Sequence, residues 1–537
     1  MIVAQFLLVG GAMAGIEAPE RLRVEYMEGP QGVDVPYPVR FSWALAHSER
    51  SQVQSAYQLV VSTGGKPAWD SGKVASNVSQ NVPHGGANLT ADTAYTWTIA
   101  TWDGGGNKSP VSTAKFSTGL YSTADWKGAK WIGTAAKGMG QFRKEFHVKG
   151  PVSRATAYIV GLGYYKLHMN GQKISTHELG AFTTYDQRVY YDTHDCTAAI
   201  NAQVIAGGKT HAAGVHLGDG WYAQKTVKVG TPEMLMRLSL HYLDGTSEDI
   251  LSDTTWTTHA GPVTVVDIYD GETYNASMET PGWTMPGLSS AGWAAAVEAA
   301  PPSDHVKLTS HAILPPIRVV ESYAPIQMWQ SDPNEYVFDF GQNMAGILTL
   351  NIPEGVATTS GVQISMLSAE GIKGPAENHS KVNHHYRAKE TNVYITKGDG
   401  AAVSYTTLFT YAGLRYVQLT GYPGVPTFKT LTAHFIHTDY EFTGDISFSD
   451  PDLDAVQHIT RTAAMSNFQS IPTDCPQRER RGWLGDAQLS AETNMHNFDM
   501  AGPYTSFVQQ INDQQDPENG QIGDCVPYYV RAPPVLF

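Results

Sequence analysis

One short segment of this 537-residue chain concentrates reactive side chains. Within 13 residues it holds three carboxylates, three arginines and one tryptophan: Asp474, Glu479 and Asp486; Arg478, Arg480 and Arg481; and Trp483. Carboxylates accept hydrogen bonds from sugar hydroxyls, and the apolar face of a sugar stacks on an aromatic ring. One carboxylic acid in such a group could protonate a glycosidic oxygen. The residue types therefore indicate a carbohydrate site with a candidate acid.

Each of these residues also has an ordinary structural explanation. Asp486 follows Gly485 at the start of a predicted helix and could be its N-cap. Asp474 precedes a Cys-Pro pair and could cap a turn, the arginines could form ordinary ion pairs, and Trp483 could be a core residue. Both interpretations remain open from the residue types alone.

The neighbouring arginines raise a physical objection to Glu479 as an acid. A general acid at neutral pH needs a raised pKa, whereas nearby guanidinium groups lower the pKa of a carboxyl. The objection weakens if Asp474 and Asp486 fold close to Glu479 while the arginine heads pair elsewhere. Like charges that share a small site keep one proton bound.

The elements that must position this segment are predicted helices. Ser449-Asp450-Pro451 is typical of a helix start, with a capping side chain followed by proline in the first turn. Apolar residues then recur at helical spacing, at Leu453, Val456, Ile459 and Ala463. A second helix carries Leu484, Ala487, Ala491, Met495 and Phe498 on one face, and a third covers roughly 504–513. The candidate segment lies in the loop between the first two, where Pro472 and Pro476 exclude a continuous helix.

The residues before the predicted helices have the sequence patterns of β-strands. Residues 17–120 contain period-two runs such as Tyr95-Thr-Trp-Thr-Ile separated by Gly-rich turns, which predicts a small β-sandwich. A second, larger β-domain is predicted at 125–310 and a third at 315–440, before the helical part at 447–537. The fold class is therefore multidomain, with β-sandwich domains followed by a helical domain.

Net charge and the N-terminal residues limit which binding partners and which cellular location are expected. The net charge of −15 and the lack of a basic block argue against nucleic acid as a partner. Residues 1–16 contain an apolar run and Ala12-Met13-Ala14, which predicts a signal peptide and a secreted protein, otherwise a cytoplasmic one. No other segment is apolar enough to span a membrane, so no membrane association is expected.

Metal or disulfide chemistry is not indicated by the residue spacing. Three cysteines are too few and too scattered for a disulfide framework or a Cys-x-x-Cys metal site. The histidine-rich stretch formed by Glu377, His379, His384 and His385 has no spacing that fixes a coordination geometry. We expect no metal site and no cofactor.

At the candidate loop the run 472–488, Pro-Thr-Asp-Cys-Pro-Gln-Arg-Glu-Arg-Arg-Gly-Trp-Leu-Gly-Asp-Ala-Gln, resembles the catalytic signature of the α-L-rhamnosidases, family 78 of the glycoside hydrolases. The resemblance extends upstream. Residues 56–61 and 69–73 resemble the family's fibronectin-like first domain, and Leu217-Gly-Asp-Gly-Trp-Tyr222 resembles its second β-domain. Residues 338–346 and 409–417 resemble its concanavalin-like sandwich. Nearly the whole chain after residue 17 is covered.

The resemblance implies hydrolysis of terminal α-L-rhamnose from a glycoside or polysaccharide, with inversion, in an (α/α)6 barrel and without a cofactor. Glu479 matches the family's general acid, and Asp474, Arg478 and Asp486 match residues that hold the rhamnose hydroxyls. Trp483 would form a hydrophobic wall near the 6-deoxy methyl group. Many members carry an extra acidic residue between the arginine and the acid, so Glu479 is aligned by its four-residue spacing to Trp483.

The length of the helical part leads to a further expectation. An inverting hydrolase needs a second carboxylate about 6.5–9.5 Å from the acid, and twelve helices with their loops need roughly 200 residues. Residues 447–537 number only 91. We expect a truncated α-L-rhamnosidase whose general base lies beyond the chain end and which is inactive by itself. The alternative is a non-catalytic carbohydrate-binding protein, suggested by three β-domains rich in tryptophan and tyrosine.

Overall fold

The computed structural model describes residues 15–34, 38–136, 138–374, 380–384 and 388–527. The predicted signal peptide therefore lies almost wholly outside the described residues, as do Glu377, His379 and His385 of the histidine-rich stretch. The chain divides into two compact units, Met1–Asp125 and Trp126–Phe537.

The first unit is a small antiparallel β-sandwich. Its strands are β1 (Glu20–Val24), β2 (Arg40–Ala44), β3 (Ala56–Thr63), β4 (Lys66–Asp70), β5 (Val82–Pro83), β6 (Ala94–Trp102) and β7 (Ser112–Ser117). One sheet has the order β1-β2-β5 and the other β4-β3-β6-β7. Phe41 of β2 and Trp97 of β6 pack across the sandwich with ring centroids 4.9 Å apart. Residues 95–99 of β6 alternate between buried and partly buried, as the sequence predicts, and the residues after them in the strand are all buried.

Two further sheets begin the second unit and share one hydrophobic core. Their elements are β8 (Ile132–Gly133), β9 (Gly140–His147), β10 (Val152–Leu162), β11 (Tyr164–Met169), β12 (Gln172–Lys173), β13 (Arg188–Asp195), α1 (Thr197–Ile205), β14 (Thr210–Gly218), β15 (Glu233–Tyr242), β16 (Ser247–Leu251), β17 (Thr257–His259), β20 (Ala294–Ala295), β21 (Val297–Glu298) and β22 (Lys307–Ser310). One sheet runs β21-β8-β15-β10-β13-β22, with β16 beside β15, and the other runs β12-β11-β14-β9-β17-β20.

A ten-stranded sheet follows. Its strands are β18 (Val263–Asp267), β19 (Gly271–Asn275), β23 (Ile317–Tyr323), β24 (Gln327–Asp332), β25 (Glu335–Ile352), β26 (Gln363–Ala369), β29 (Thr391–Ile395), β30 (Val403–Thr406), β31 (Ala412–Thr420) and β32 (Leu431–Thr438). They are ordered β18-β19-β29-β26-β31-β25-β32-β23, with β24 and β30 also paired to β25. Two short strands, β27 (Gly371–Ile372) and β28 (Val382–Asn383), form a separate pair. Strands β18 and β19 lie within residues 125–310, which the sequence assigns to the second β-domain. In the structure they belong instead to the ten-stranded sheet, where β19 pairs with β29. Buried Glu272 on β19 accepts hydrogen bonds from the Tyr405 hydroxyl and the Phe409 amide, which holds β19 against this part of the chain.

Three helices end the described chain: α2 (Pro451–Ser466), α3 (Leu484–Asn497) and α4 (Ala501–Gln514). The predicted start of α2 is confirmed, because Asp450 is the N-cap and its side chain accepts from the Asp452 amide at 2.9 Å. The apolar stripe of α2 is exposed, with Leu453, Val456 and Ile459 between 48 and 62% accessible. No described helix has the length and apolarity needed to cross a membrane.

Polar contacts tie the helical part to the first β-domain of the same unit. Arg188 at the start of β13 makes a bidentate ion pair with Asp513 of α4, at 2.6 and 2.9 Å, and both side chains are nearly buried. The Tyr190 hydroxyl lies 2.8 Å from Ser506 Oγ. Charge-assisted paired hydrogen bonds of this kind fix orientation as well as distance. Helix α4 is therefore held in a defined position against β13.

Candidate active site

The candidate loop between α2 and α3 is closed by backbone contacts at its two ends. The Asp474 amide donates to the Arg481 carbonyl at 3.0 Å, and the Arg481 amide donates to Asp474 Oδ1, also at 3.0 Å. Asp474 thus fixes the far end of its own loop, which is the turn-capping role that the sequence left open. Its carboxylate is only half-buried, so this role does not preclude contact with a ligand.

The end of the loop is also paired with the chain near residue 525. The Val526 amide donates to the Gly482 carbonyl and the Leu484 amide donates to the Asp524 carbonyl, both at 2.8 Å. A β-carbon at Gly482 would collide with the Val526 carbonyl oxygen, so this close approach requires glycine. Trp483 is thereby held between two paired residues and serves as the N-cap of α3.

The Glu479 carboxylate is held by its neighbours and remains one-third exposed. Its Oε2 accepts from Trp483 Nε1 at 2.9 Å, and its Oε1 accepts from Arg478 Nη2 at 2.7 Å. The side chains of Glu479 and Arg478 are 32 and 49% exposed. The Tyr269 hydroxyl donates to the Glu479 carbonyl at 2.9 Å, which fixes the backbone beneath the carboxylate. An oriented carboxyl group that reaches solvent can meet a ligand.

The other two arginine heads turn away from Glu479. Arg480 is fully buried; it pairs with Glu390 at 2.6 Å, donates from Nε to the Pro476 carbonyl at 2.9 Å and also donates to the Ile268 carbonyl. Arg481 donates to the Tyr269 hydroxyl and to Thr226 Oγ1, each at 3.4 Å. In the part of the chain that the structure describes, only Arg478 forms an ion pair with Glu479, although, against the effect of burial, the Glu479 charge also contributes to a raised pKa of Arg481.

Burial sets the pKa values of two carboxyls around this loop. Burial raises the pKa of Asp474, and the nearby Glu479 charge raises it further, against the hydrogen bond from the Arg481 amide. Burial raises the pKa of Glu390 to about 8, although the paired Arg480 opposes that shift. The interaction between Asp474 and Glu479 places these two carboxylates within electrostatic reach of each other.

Asp486 occupies a different environment. It lies in the first turn of α3 and is exposed, and because Trp483 is the N-cap, Asp486 is not. An acidic residue in a first helical turn interacts favourably with the helix dipole. The structure therefore joins Arg478, Glu479 and Trp483 by hydrogen bonds, with Asp474 within electrostatic reach of Glu479 and Asp486 three residues after Trp483.

The sequence did not reveal the aromatic residues from other parts of the chain that pack around the loop. Tyr269, in the turn between β18 and β19, contacts Glu479 and Arg481, and Trp221 packs edge-on against it at 5.5 Å. Tyr411 lies under the Arg480 guanidinium at 4.6 Å. Trp221 falls in the motif 217–222, but no spacing in the sequence relates residues 221, 269 and 411 to residue 480.

Models of four rhamnosidase domains match the chain in succession. They are described as a Rha78A-like N-terminal immunoglobulin domain (residues 19–122), an α-L-rhamnosidase N-terminal domain (150–321), a bacterial α-L-rhamnosidase concanavalin-like domain (329–437) and a bacterial α-L-rhamnosidase 6 hairpin glycosidase domain (441–535). Three β-rich domains followed by a glycosidase domain are the architecture of a multidomain glycosidase.

Individual relatives agree with the domain models. An α-L-rhamnosidase of Formosa agariphila is 30% identical over 93% of this chain and 56% of its own length. The structure of an α-L-rhamnosidase from Dictyoglumus thermophilum is 36% identical, with a TM-score of 0.88 over 96% of this chain and 60% of that one. One from Aspergillus terreus is 27% identical, with a TM-score of 0.87 and the same coverage. The chain belongs to the α-L-rhamnosidase family, and it spans a little over half the length of these relatives.

Proposed function

We propose that the protein hydrolyses terminal α-L-rhamnose from glycosides or polysaccharides with inversion, and that Glu479 is the general acid. Glu479 would protonate the glycosidic oxygen, while Asp474, Arg478 and Asp486 bind the rhamnose hydroxyls. Trp483 would orient the acid through its indole N–H and present its ring to the apolar side of the sugar. Helices α2–α4 would form part of an (α/α)6 barrel. A water molecule activated by a second carboxylate would attack the anomeric carbon from the opposite face, as inversion requires.

The observation that carries this proposal is the arrangement around Glu479. Two donors, Trp483 Nε1 and Arg478 Nη2, hold a partly exposed carboxylate, while Arg480 and Arg481 pair elsewhere. Arg478 is half-exposed, so its guanidinium can transfer to a sugar hydroxyl when substrate binds. That transfer would free Glu479 to carry the proton that general-acid catalysis requires.

Hydrolysis of an aryl α-L-rhamnoside by the protein expressed from its complete open reading frame tests the proposal. Glu479→Gln should lower kcat by about 10²–10⁴-fold, the usual worth of a general acid, with little change in KM. Glu492→Gln, at an exposed position of α3, is the matched control and should keep the parent rate. NMR should detect the β-anomer of rhamnose first. Parent-like turnover by Glu479→Gln would overturn the assignment of the acid.

Rhamnose titration by calorimetry separates hydrolysis from simple carbohydrate binding. If the sugar binds at the proposed site, Asp474→Asn and Asp486→Asn should each weaken it, whereas Glu479→Gln should bind rhamnose without cleaving the rhamnoside. Binding that is unaffected by both aspartate changes would support instead a carbohydrate site elsewhere on the β-domains.

We also propose that the protein is secreted. The support is the apolar run at residues 2–9 followed by Ala12-Met13-Ala14. N-terminal sequencing of protein recovered from the medium of its native host should begin near residue 15. Recovery of the protein with an intact N-terminus from cell lysate alone would contradict secretion.

A further inference from the structure

A buried cluster of nitrogen and oxygen donors lies in the first β-domain of the second unit. Asp192 and His194 are two residues apart on β13 and therefore point to the same side of the sheet. His177 belongs to the connection between β12 and β13. One ring nitrogen of each histidine and one Asp192 oxygen all lie within 4.8 Å of one another, and both histidines are buried.

Hydrogen bonds satisfy most of this cluster. The Tyr165 hydroxyl lies 2.6 Å from Asp192 Oδ2 and 2.8 Å from His194 Nε2. His311, which follows β22, donates from Nδ1 to Asp192 Oδ1 at 2.8 Å. His177 Nε2 is the exception, since it is buried and has no hydrogen-bond partner among the described residues. A buried polar atom without a partner is costly, so this nitrogen needs an explanation.

The residue types of the cluster suit a metal ion. Two imidazoles and a carboxylate form a donor set for zinc and other divalent first-row metals. The hydrogen bond from His311 to Asp192 is the kind of outer contact that orients a carboxylate ligand.

We propose that His177, Asp192 and His194 bind a divalent transition-metal ion of the zinc class, separately from the carbohydrate site. A fourth donor would be the Tyr165 hydroxyl or a water molecule. A tetrahedral ion holds its ligand atoms closer together than 4.8 Å, so binding draws the three side chains inward. The ion would fasten the connection after β12 to strand β13.

That connection leads towards the candidate active loop. The Phe182 amide donates to Ser470 Oγ at 3.0 Å, and the Phe182 ring stacks on Trp221 at 4.3 Å. Trp221 in turn packs on Tyr269, whose hydroxyl contacts Glu479. The proposed ion therefore has a structural role, because it restrains a segment that packs against the loop without touching substrate.

Zinc titration of the 537-residue chain tests the proposal without any activity measurement. After treatment with a chelator and its removal, the protein should bind one Zn²⁺ per chain by calorimetry, and Co²⁺ should give the intense visible absorption of a four-coordinate site. His177→Gln should weaken zinc binding by at least about 100-fold. His311→Gln should weaken it by about 10–100-fold, as expected for a partner that orients a ligand.

The control is His216→Gln. His216 lies on β14 of the same domain, is buried and likewise has an Nε2 without a partner among the described residues, but it is not in the cluster. This variant should bind zinc as the parent does. If His177→Gln does not fold by circular dichroism, Asp192→Asn replaces it. Failure of the parent to bind zinc stoichiometrically, or parent-like affinity in a folded cluster variant, would overturn the proposal.

Discussion

Replacing Arg480 by methionine tests whether the buried ion pair holds the candidate loop. The change keeps much of the apolar stem but leaves Glu390 and the carbonyls of Pro476 and Ile268 without their donor. Both side chains are 0% exposed. At pH 9, where a Glu390 carboxyl with a pKa of about 8 is ionised, removal of one partner from the buried pair costs about 3–5 kcal/mol. Arg478→Met is the matched control, since Arg478 is half-exposed and an exposed pair contributes about 0–1 kcal/mol.

The expected shift in melting temperature depends on the number of residues in the second unit, which contains the Arg480–Glu390 pair. The second unit has 412 residues (126–537), and an unfolding entropy of about 2.1 cal/mol/K per residue converts 3–5 kcal/mol to about 3–6 °C. Arg478→Met should shift the transition by about 1 °C or less. Differential scanning calorimetry measures both variants. Equal melting temperatures for the two would refute the idea that Arg480 anchors the loop.

The pH dependence of the Arg480→Met variant gives a second check on the same reasoning. Burial already raises the pKa of Glu390 to about 8 with Arg480 present, so without the guanidinium the carboxyl stays protonated to still higher pH. A raised folded-state pKa means stability that is complete below the ordinary pKa of glutamate and is lost as the pH rises. The deficit relative to the parent should therefore be smaller at pH 6 than at pH 9. A deficit that shrinks with rising pH would contradict this sign.

Two further substitutions probe the loop and its surroundings. Trp483→Phe keeps a ring but removes the N–H that donates to Glu479. The rhamnoside kcat should fall by about 10–150-fold, in line with a charged hydrogen bond of about 1.5–3 kcal/mol, while the melting temperature stays within about 1 °C. Burial and the charge of Asp267 raise the pKa of Asp219 to about 6. Asp219→Asn should therefore stabilise the protein by at most about 3 kcal/mol at pH 8 and by almost nothing at pH 3, below the unfolded-state pKa, as measured by thermal unfolding. Loss of activity in Trp483→Phe through unfolding, or a pH-independent effect of Asp219→Asn, would count against these assignments.

Regular features were predictable because local patterns encode them. The alternation in β6 and the Asp450-Pro451 start of α2 rest on side-chain periodicity and capping, which act over a few residues. The pairing of β18 and β19 with the ten-stranded sheet depends instead on contacts such as that between Glu272 and Tyr405, 133 residues apart in the chain. Non-local pairings of this kind leave no periodic signal, so the sequence grouped residues 263–275 with their neighbours.

The candidate site likewise has a part that local sequence predicts and a part that depends on non-local contacts. Its candidate residues lie within one short segment and were proposed from their types, whereas Tyr269 and Glu390, which contact that segment, are 210 and 90 residues away from their partners in the chain. The electrostatic objection to Glu479 could not be resolved from composition, because it depends on where the side chains of Arg478, Arg480 and Arg481 point. Arg480 adopts a positive φ of 54°, which is uncommon for a residue other than glycine.

That backbone conformation has a functional explanation. A reversal of direction at Arg480 sends its guanidinium into the buried contact with Glu390, while Glu479 reaches solvent on the other side of the loop. Residues in this region of φ cost on the order of 1 kcal/mol or more and persist when surrounding contacts over-determine them. The ion pair and the carbonyl contacts of Arg480 supply that compensation. The guanidinium next in sequence to the proposed acid is thus held away from it by its buried contacts with Glu390 and the Pro476 carbonyl.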